Sequence, residues 1–251
     1  DDPADESNIM FSKSIDQGAT WSDPLKISKF PGDCMDGDDT VEGAVPAVGL
    51  NGEIYVTWTG PQGLVMQRSM DGGKSWLQEE KQIEKHHGGW ALDIPGIYRA
   101  NGLPILKCDL SSGPNRGTLY LNWCDQKNGE TDTDSWIMKS TDGGETWGER
   151  IKVNQDDSGK HQFFTCMTID QSSGFLYFVY YDRRNYSDNQ TDVYISISRD
   201  GGKTFVDHRI SDSPFTPDKA MFFGDYLNID AVKGEIRPVW PRLDNGKISL
   251  W

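Results

Sequence analysis

Arg183 and Arg184 stand side by side in the stretch YYDRRN. A guanidinium offers a planar fork of N–H donors that matches the two oxygens of a carboxylate. Two such groups in one polar loop suit an anionic ligand. Arg99 in IYRANG and Arg242 in PRLDNG are further arginines in polar, turn-rich stretches. Near them the sequence sets groups able to move protons or attack an electrophile. Asp182 directly precedes the arginine pair, Asp39 and Glu42 lie in CMDGDDTVEG, and Tyr226 ends FGDY. Each has a plainer reading as well. An Asp-Arg-Arg run also makes an ion pair between neighbouring elements, and a Tyr just before a strand also packs at a sheet edge.

The whole chain carries 25 Lys and Arg against 39 Asp and Glu, a formal net charge of −14. A nucleic-acid partner is not expected, because phosphate binding needs a basic surface. Binding to an anionic membrane is disfavoured for the same reason, and no apolar run has the roughly 20 residues that span a bilayer. A neutral ligand, a cation, or an anion held by local arginines remains open.

The elements that must position these loops are strands. Apolar residues come in short alternating bursts, and 27 Gly and 12 Pro punctuate them. Aromatic strands read EIYVTW (53–58), TLYLNW (118–123), FLYFVYY (175–181) and EIRPVW (235–240). The stretches SKSIDQGATW, SMDGGKSW, STDGGETW and SRDGGKTF share the frame Ser-x-Asp-x-Gly-x-Thr/Ser-Trp/Phe. Its members are Asp16, Gly18 and Trp21; Asp71, Gly73 and Trp76; Asp142, Gly144 and Trp147; and Asp200, Gly202 and Phe205. The aspartates are 55, 71 and 58 residues apart, a period of supersecondary size. A strand precedes each frame and a short polar-apolar strand follows it. With an earlier strand in each period, four antiparallel strands repeat, which predicts β-propeller blades. The frame is then the turn between the third and fourth strands. The Asp accepts hydrogen bonds from its own turn, the Gly takes a positive φ, and the Trp or Phe packs between sheets.

This frame resembles the Asp-box, or bacterial neuraminidase, repeat, and the resemblance covers essentially the whole chain. It implies an all-β propeller of the sialidase superfamily, with six blades or similar, in a secreted or cell-surface protein. The expected layout is a partial blade over 1–28, blades near 44–84, 103–154 and 163–211, and a partial blade over 226–251. Starting and ending in mid-blade predicts a piece of a longer propeller, and Asp at position 1 reads as a mature or trimmed form. The resemblance further implies a partner that is a glycan or glycoprotein, acted on by a retaining glycoside hydrolase of sialidase type. In that chemistry arginines hold the sugar carboxylate, a Tyr activated by a Glu attacks the anomeric carbon, and an Asp serves as acid and base. Arg99, Arg183, Arg184 and Arg242 are the carboxylate binders this implies. Tyr226 is the nucleophile, Glu42 its activator, and Asp182 or Asp39 the acid. YRANGLP is similar to the family's Tyr/Phe-Arg-Ile-Pro motif, with extra residues before the Pro. The alternative is a propeller that binds a carbohydrate or a protein without turnover. The repeated turns lie on the face opposite the family's active site, so the second-to-third loops and the links between blades form the rim to search.

No cofactor is called for. The run MDGDDTVE has oxygen ligands suited to a structural calcium ion but lacks the EF-hand spacing. His86 and His87 are adjacent, so on a strand they face opposite ways. Cys108 and Cys124 flank a turn-rich stretch and read equally as a disulfide or as two buried thiols; Cys34 and Cys166 complete the set.

Overall fold

The computed structural model describes residues 5–157 and 159–251, and it contains no helix among them. The chain divides into two compact units, residues 1–86 and 87–251. Three four-stranded antiparallel sheets dominate. Unit one holds the sheet Glu42–Val48, Ile54–Gly60, Gly63–Ser69 and Lys81–Glu84. Unit two holds Ile105–Cys108, Leu119–Asp125, Asp134–Ser140 and Ile151–Lys152, followed by Gln162–Asp170, Phe175–Asp182, Asp192–Ser198 and Val206–Arg209. Strand order equals chain order in all three, so each sheet is a meander closed by short connections.

The inner strands of unit two are buried on both faces. FLYFVYYD has only its first residue partly exposed, and LYLNWCD is wholly buried. Each such strand is covered by sheet or loop on both sides, which is why its aromatics run without alternation. Tyr120, Phe178, Tyr180 and Phe205 pack in one cluster with Met167 and Leu176. Phe163, Tyr181, Phe215 and Phe223 pack in another. In unit one, Trp58 is fully buried with Ile27, Val56 and Val65. Burying one such side chain is worth about 1.5–3 kcal/mol.

The four repeated stretches form turns with common wiring. The leading Ser hydroxyl donates to the Asp at 2.7–2.9 Å and accepts the Gly N–H at 2.8–2.9 Å. The other Asp oxygen accepts the Thr or Ser hydroxyl at 2.5–2.6 Å. Gly144 sits at φ 81°, in a region that costs an L side chain free energy. The aromatic residue behaves less uniformly. Phe205 is buried on Phe178, and Trp76 meets Phe11 at 4.9 Å. Trp21 is 65% exposed, against the expectation that every such residue is packed. Its turn joins strands of only two residues, Met10–Phe11 and Leu25–Lys26, which offer little surface to cover an indole.

EIRPVW forms the strand Glu235–Val239, paired with Asn228–Val232. Trp240 exchanges backbone hydrogen bonds with Trp251, and Pro241–Asp244 pairs with Lys247–Leu250. All four cysteines are free thiols. Cys108 pairs with Leu119 across its hairpin, and Cys124 lies five residues further along that strand. At about 3.4 Å per residue the two are far beyond the roughly 7 Å limit of a disulfide.

Candidate functional site

The four arginines have different fates. Arg184 lies on an inner network. It meets Asp182 and Asp207 at 2.7 Å each, and its guanidinium stacks 4.3 Å from the Tyr194 ring. Burial pulls this guanidinium down, and the two carboxylates more than reverse that, so it stays charged. Asp182 also accepts the Arg184 backbone N–H at 2.7 Å. Burial raises the Asp182 carboxyl to about 6 against the pull of Arg184. Its side chain has 0% exposure and is held by Arg184. Arg242 is bonded to Asp244, to the Ser213 hydroxyl and to the carbonyls of Ser213 and Pro214. Arg99 pairs with Asp225 and stacks 5.4 Å from Phe222.

Arg183 has no carboxylate within ion-pair distance among the described residues, although it is only 3% exposed. Its Nε donates to Thr191 Oγ1 at 3.1 Å, and Nη1 donates to the Pro95 carbonyl at 2.7 Å and Asn189 Oδ1 at 3.3 Å. Its Nη2 is buried and has no partner. The Phe163 ring backs the guanidinium at 5.1 Å. Burial lowers Arg183 to about 10, with Asp188 opposing, so it is cationic at neutral pH. A buried cation with an N–H left over is poised for an anion, because leaving that donor unmade is costly.

Local sequence builds this seat. Ile94-Pro-Gly-Ile97 closes a turn in which Ile97 N–H donates to the Ile94 carbonyl at 3.0 Å. Pro presets the first central residue and Gly96, at φ 77°, takes the second. That turn aims the Pro95 carbonyl at Arg183. A Cβ on Gly96 would lie 2.6 Å from Asn189 Nδ2, so the close approach also requires glycine. On the other side, Gln162 pairs with Asp182, which sets His161 opposite Arg183, and the Arg183 N–H donates to the His161 carbonyl at 3.2 Å. A bulge follows between Phe163 and Cys166, with Phe164 at φ 54°. Such bulges re-aim side chains next to binding sites.

Around Arg183 lies an open cavity of about 370 Å³ whose wall includes Pro95, Thr131, Lys160, His161, Asp188 and Asn189. His161 Nδ1 lies 3.0 Å from the Thr133 hydroxyl. Burial first, and Arg183 second, lower the imidazole to about 4, so it is neutral at pH 7. The loop that carries Pro95 continues to an exposed aromatic pair. Tyr98 and Phe222 are 59% and 47% exposed, with ring centroids 5.8 Å apart. Tyr226 is 63% exposed and directly follows Asp225, the partner of Arg99.

Glu42 belongs to unit one, where it pairs with Thr59 at the start of its sheet, half-buried. Asp39 is exposed beside it in sequence, and its carbonyl accepts the Asp33 N–H at 3.0 Å. Arg99, Arg184 and Arg242 are thus each committed to carboxylates of this chain, while Arg183 is not. Lys160, His161 and Pro95 were not singled out from the sequence. Counting outward from the SSG turn would set Gln162 opposite Arg183; the bulge between Phe163 and Cys166 shifts the register by one and brings His161 there instead.

No family model matches the chain, and no curated protein matches it. Solved structures do. A Hadza microbial sialidase aligns with 86% of this chain and 44% of its own, at 17% identity and a TM-score of 0.52. The intramolecular trans-sialidase of Ruminococcus gnavus, solved with oseltamivir carboxylate, aligns with 95% of this chain and 47% of its own, at 18% identity and a TM-score of 0.52. An α-L-arabinanase of Penicillium chrysogenum, solved with arabinobiose, gives 84% and 61%, at 17% identity and a TM-score of 0.51. These are β-propeller glycosidases, and theirs is the fold of this chain. The chain spans between 44% and 61% of the length of these three proteins.

Proposed function

We propose that the chain binds or acts on a glycan through an acidic group held at Arg183, on a sialidase-like scaffold that works outside the cell. The observation that carries this is the unpartnered Nη2 of a buried, charged Arg183 beside an open cavity. Lys160 adds a second positive charge on the wall, and the exposed Tyr98 and Phe222 rings suit the apolar faces of sugars. The shared fold with glycosidases supports the ligand class, and the repeated Ser-x-Asp-x-Gly turns support the Asp-box reading. Hydrolysis on this reading uses Tyr226 as nucleophile.

Binding without turnover is the second reading. It is favoured by the commitment of Arg99, Arg184 and Arg242 to carboxylates of this chain, and by the enclosure of Asp182. One experiment separates the two. The protein is incubated with a fluorogenic sialoside and, in parallel, applied to an array of acidic and neutral glycans. Fluorophore release that is lost in Tyr226→Phe supports hydrolysis. Retention of acidic glycans without release, lost in Arg183→Met, supports binding. Neither release nor any preference for acidic glycans overturns the assignment of Arg183.

A further inference from the structure

A second cavity lies beside the repeated turn at Asp200, and a pair of related aspartates shows why it matters. Asp109-Leu-Ser-Ser-Gly and Asp170-Gln-Ser-Ser-Gly close the first hairpins of the two sheets of unit two. Asp170 is fully used. Its Oδ1 accepts Ser172 N–H, Ser172 hydroxyl and Lys233 N–H, and its Oδ2 accepts Gly234 N–H at 2.7 Å. Asp109 repeats half of this. Its Oδ1 accepts Ser111 N–H at 2.8 Å, but its Oδ2 is buried with no partner. The facing turn cannot supply one, because the N–H groups of Ser173 and Gly174 both donate to the Asp170 carbonyl, at 3.1 and 2.7 Å.

Asp109 is fully buried, yet it forms part of the wall of a cavity of about 350 Å³. Gly174, on the same wall, would bring a Cβ to 2.9 Å from Ser111 Oγ and 3.4 Å from Asp109 Oδ2, so glycine there leaves space beside that oxygen. Arg199 and Lys203 are exposed on this wall, and Arg199 lies over the Phe175 ring at 5.9 Å. Asp200 lies on the same wall, with both its oxygens bonded within its own turn. A buried anion below exposed cations, with an aromatic face between, is complementary to a zwitterion. We propose that this cavity binds a small zwitterionic ligand, with its ammonium group on Asp109 Oδ2 and its acidic group toward Arg199 and Lys203. The ammonium supplies the donor that the facing turn withholds, and charge-assisted hydrogen bonds of this kind are the strong ones. The proposal is independent of the glycan reading, because it uses none of the same residues.

The test is a titration of the whole chain, followed by amide NMR, with glycine, γ-aminobutyrate, 6-aminohexanoate, methylammonium and acetate. One of the zwitterions is expected to shift Gly113 and Gly174 and to bind about tenfold or more tighter than methylammonium or acetate. Asp109→Asn keeps the acceptor for Ser111 and should weaken that zwitterion by about tenfold or more. The surface pair Arg199→Ala and Lys203→Ala should weaken the zwitterion and leave methylammonium unchanged. No shift with any of the probes would mean that Oδ2 holds only water, and would overturn the proposal. So would equal binding by wild type and Asp109→Asn.

Discussion

The repeated turns and the loops around Arg183 treat polar groups in opposite ways. At Ser140, Asp142, Gly144 and Thr146 each donor meets an acceptor within one short segment, at 2.6–2.9 Å. The same pattern recurs in turns whose carboxylates face water. Around Arg183 one partner, the Pro95 carbonyl, comes from 88 residues away, and the buried Nη2 group is left over. Closed local wiring makes a staple that works identically wherever it is copied. A remainder of unmatched polarity, held in place by non-local packing, is what a ligand can use. Arg184 sharpens the contrast, because the next residue along the chain has both of its carboxylates in place.

The contrast can be broken by substitution. Arg184→Met strands Asp182 and Asp207 without their cation, and breaking such a pair should cost about 3–5 kcal/mol, read as a loss in denaturant midpoint. Ser140→Ala leaves the buried Gly144 N–H unmatched and should cost about 1–3 kcal/mol by the same assay. Arg183→Met removes a cation that has no carboxylate to strand. It should cost about 1.5–3 kcal/mol for its lost hydrogen bonds to neutral acceptors, while abolishing retention of acidic glycans. A fall for Arg183→Met as large as that for Arg184→Met would erase the distinction between the two.

Acid separates the two regions more gently. The unfolded chain protonates His161 near 6.5, while the folded site resists until about 4. His161 therefore costs stability as pH falls from about 6.5 to 4. Asp182, raised to about 6, acts in the opposite direction over the same range. Comparing His161→Gln with wild type isolates the imidazole, and the variant should lose less stability in that window. The turn carboxylates are depressed by their own hydroxyl and N–H donors, Asp16 to about 2 and the other three further. Their contribution is present above the unfolded carboxylate value near 3.9 and is lost as pH falls from about 4 toward 2. Melting curves for Asp142→Asn and wild type should converge in that lower window only. The smallest effect is on the imidazole itself. Arg183→Met should raise the His161 midpoint above 4 by NMR, since the nearby cation is its second depressing cause.

The sheets were legible because their signals are local. Short aromatic runs mark strands, and the Ser-x-Asp-x-Gly frame marks turns whose bonds span four residues at most. The site was legible only as a set of loops. YYDRRN shows two arginines, but which is left unpaired depends on Asp207, 23 residues from Arg184, and on Pro95, 88 residues from Arg183. The bulge at Phe164 shifts the register by a step that no residue type announces. Trp21 was misjudged for a related reason, since its exposure is set by the strands beside it and not by the frame that contains it.

The meander order of each sheet has a consequence for how the chain reaches this state. In the three four-stranded sheets every strand pairs with its neighbour in sequence. Shorter loops are closed that way, and less loop-closure entropy opposes folding. In unit two, polar ties between successive segments include Lys139 Nζ to the Gly201 carbonyl, Thr165 to Asn122 and Ser135, Gln171 to Leu110 and Cys108, and Asp170 to Lys233 and Gly234. Under tension, these ties must break before one meander parts from the next.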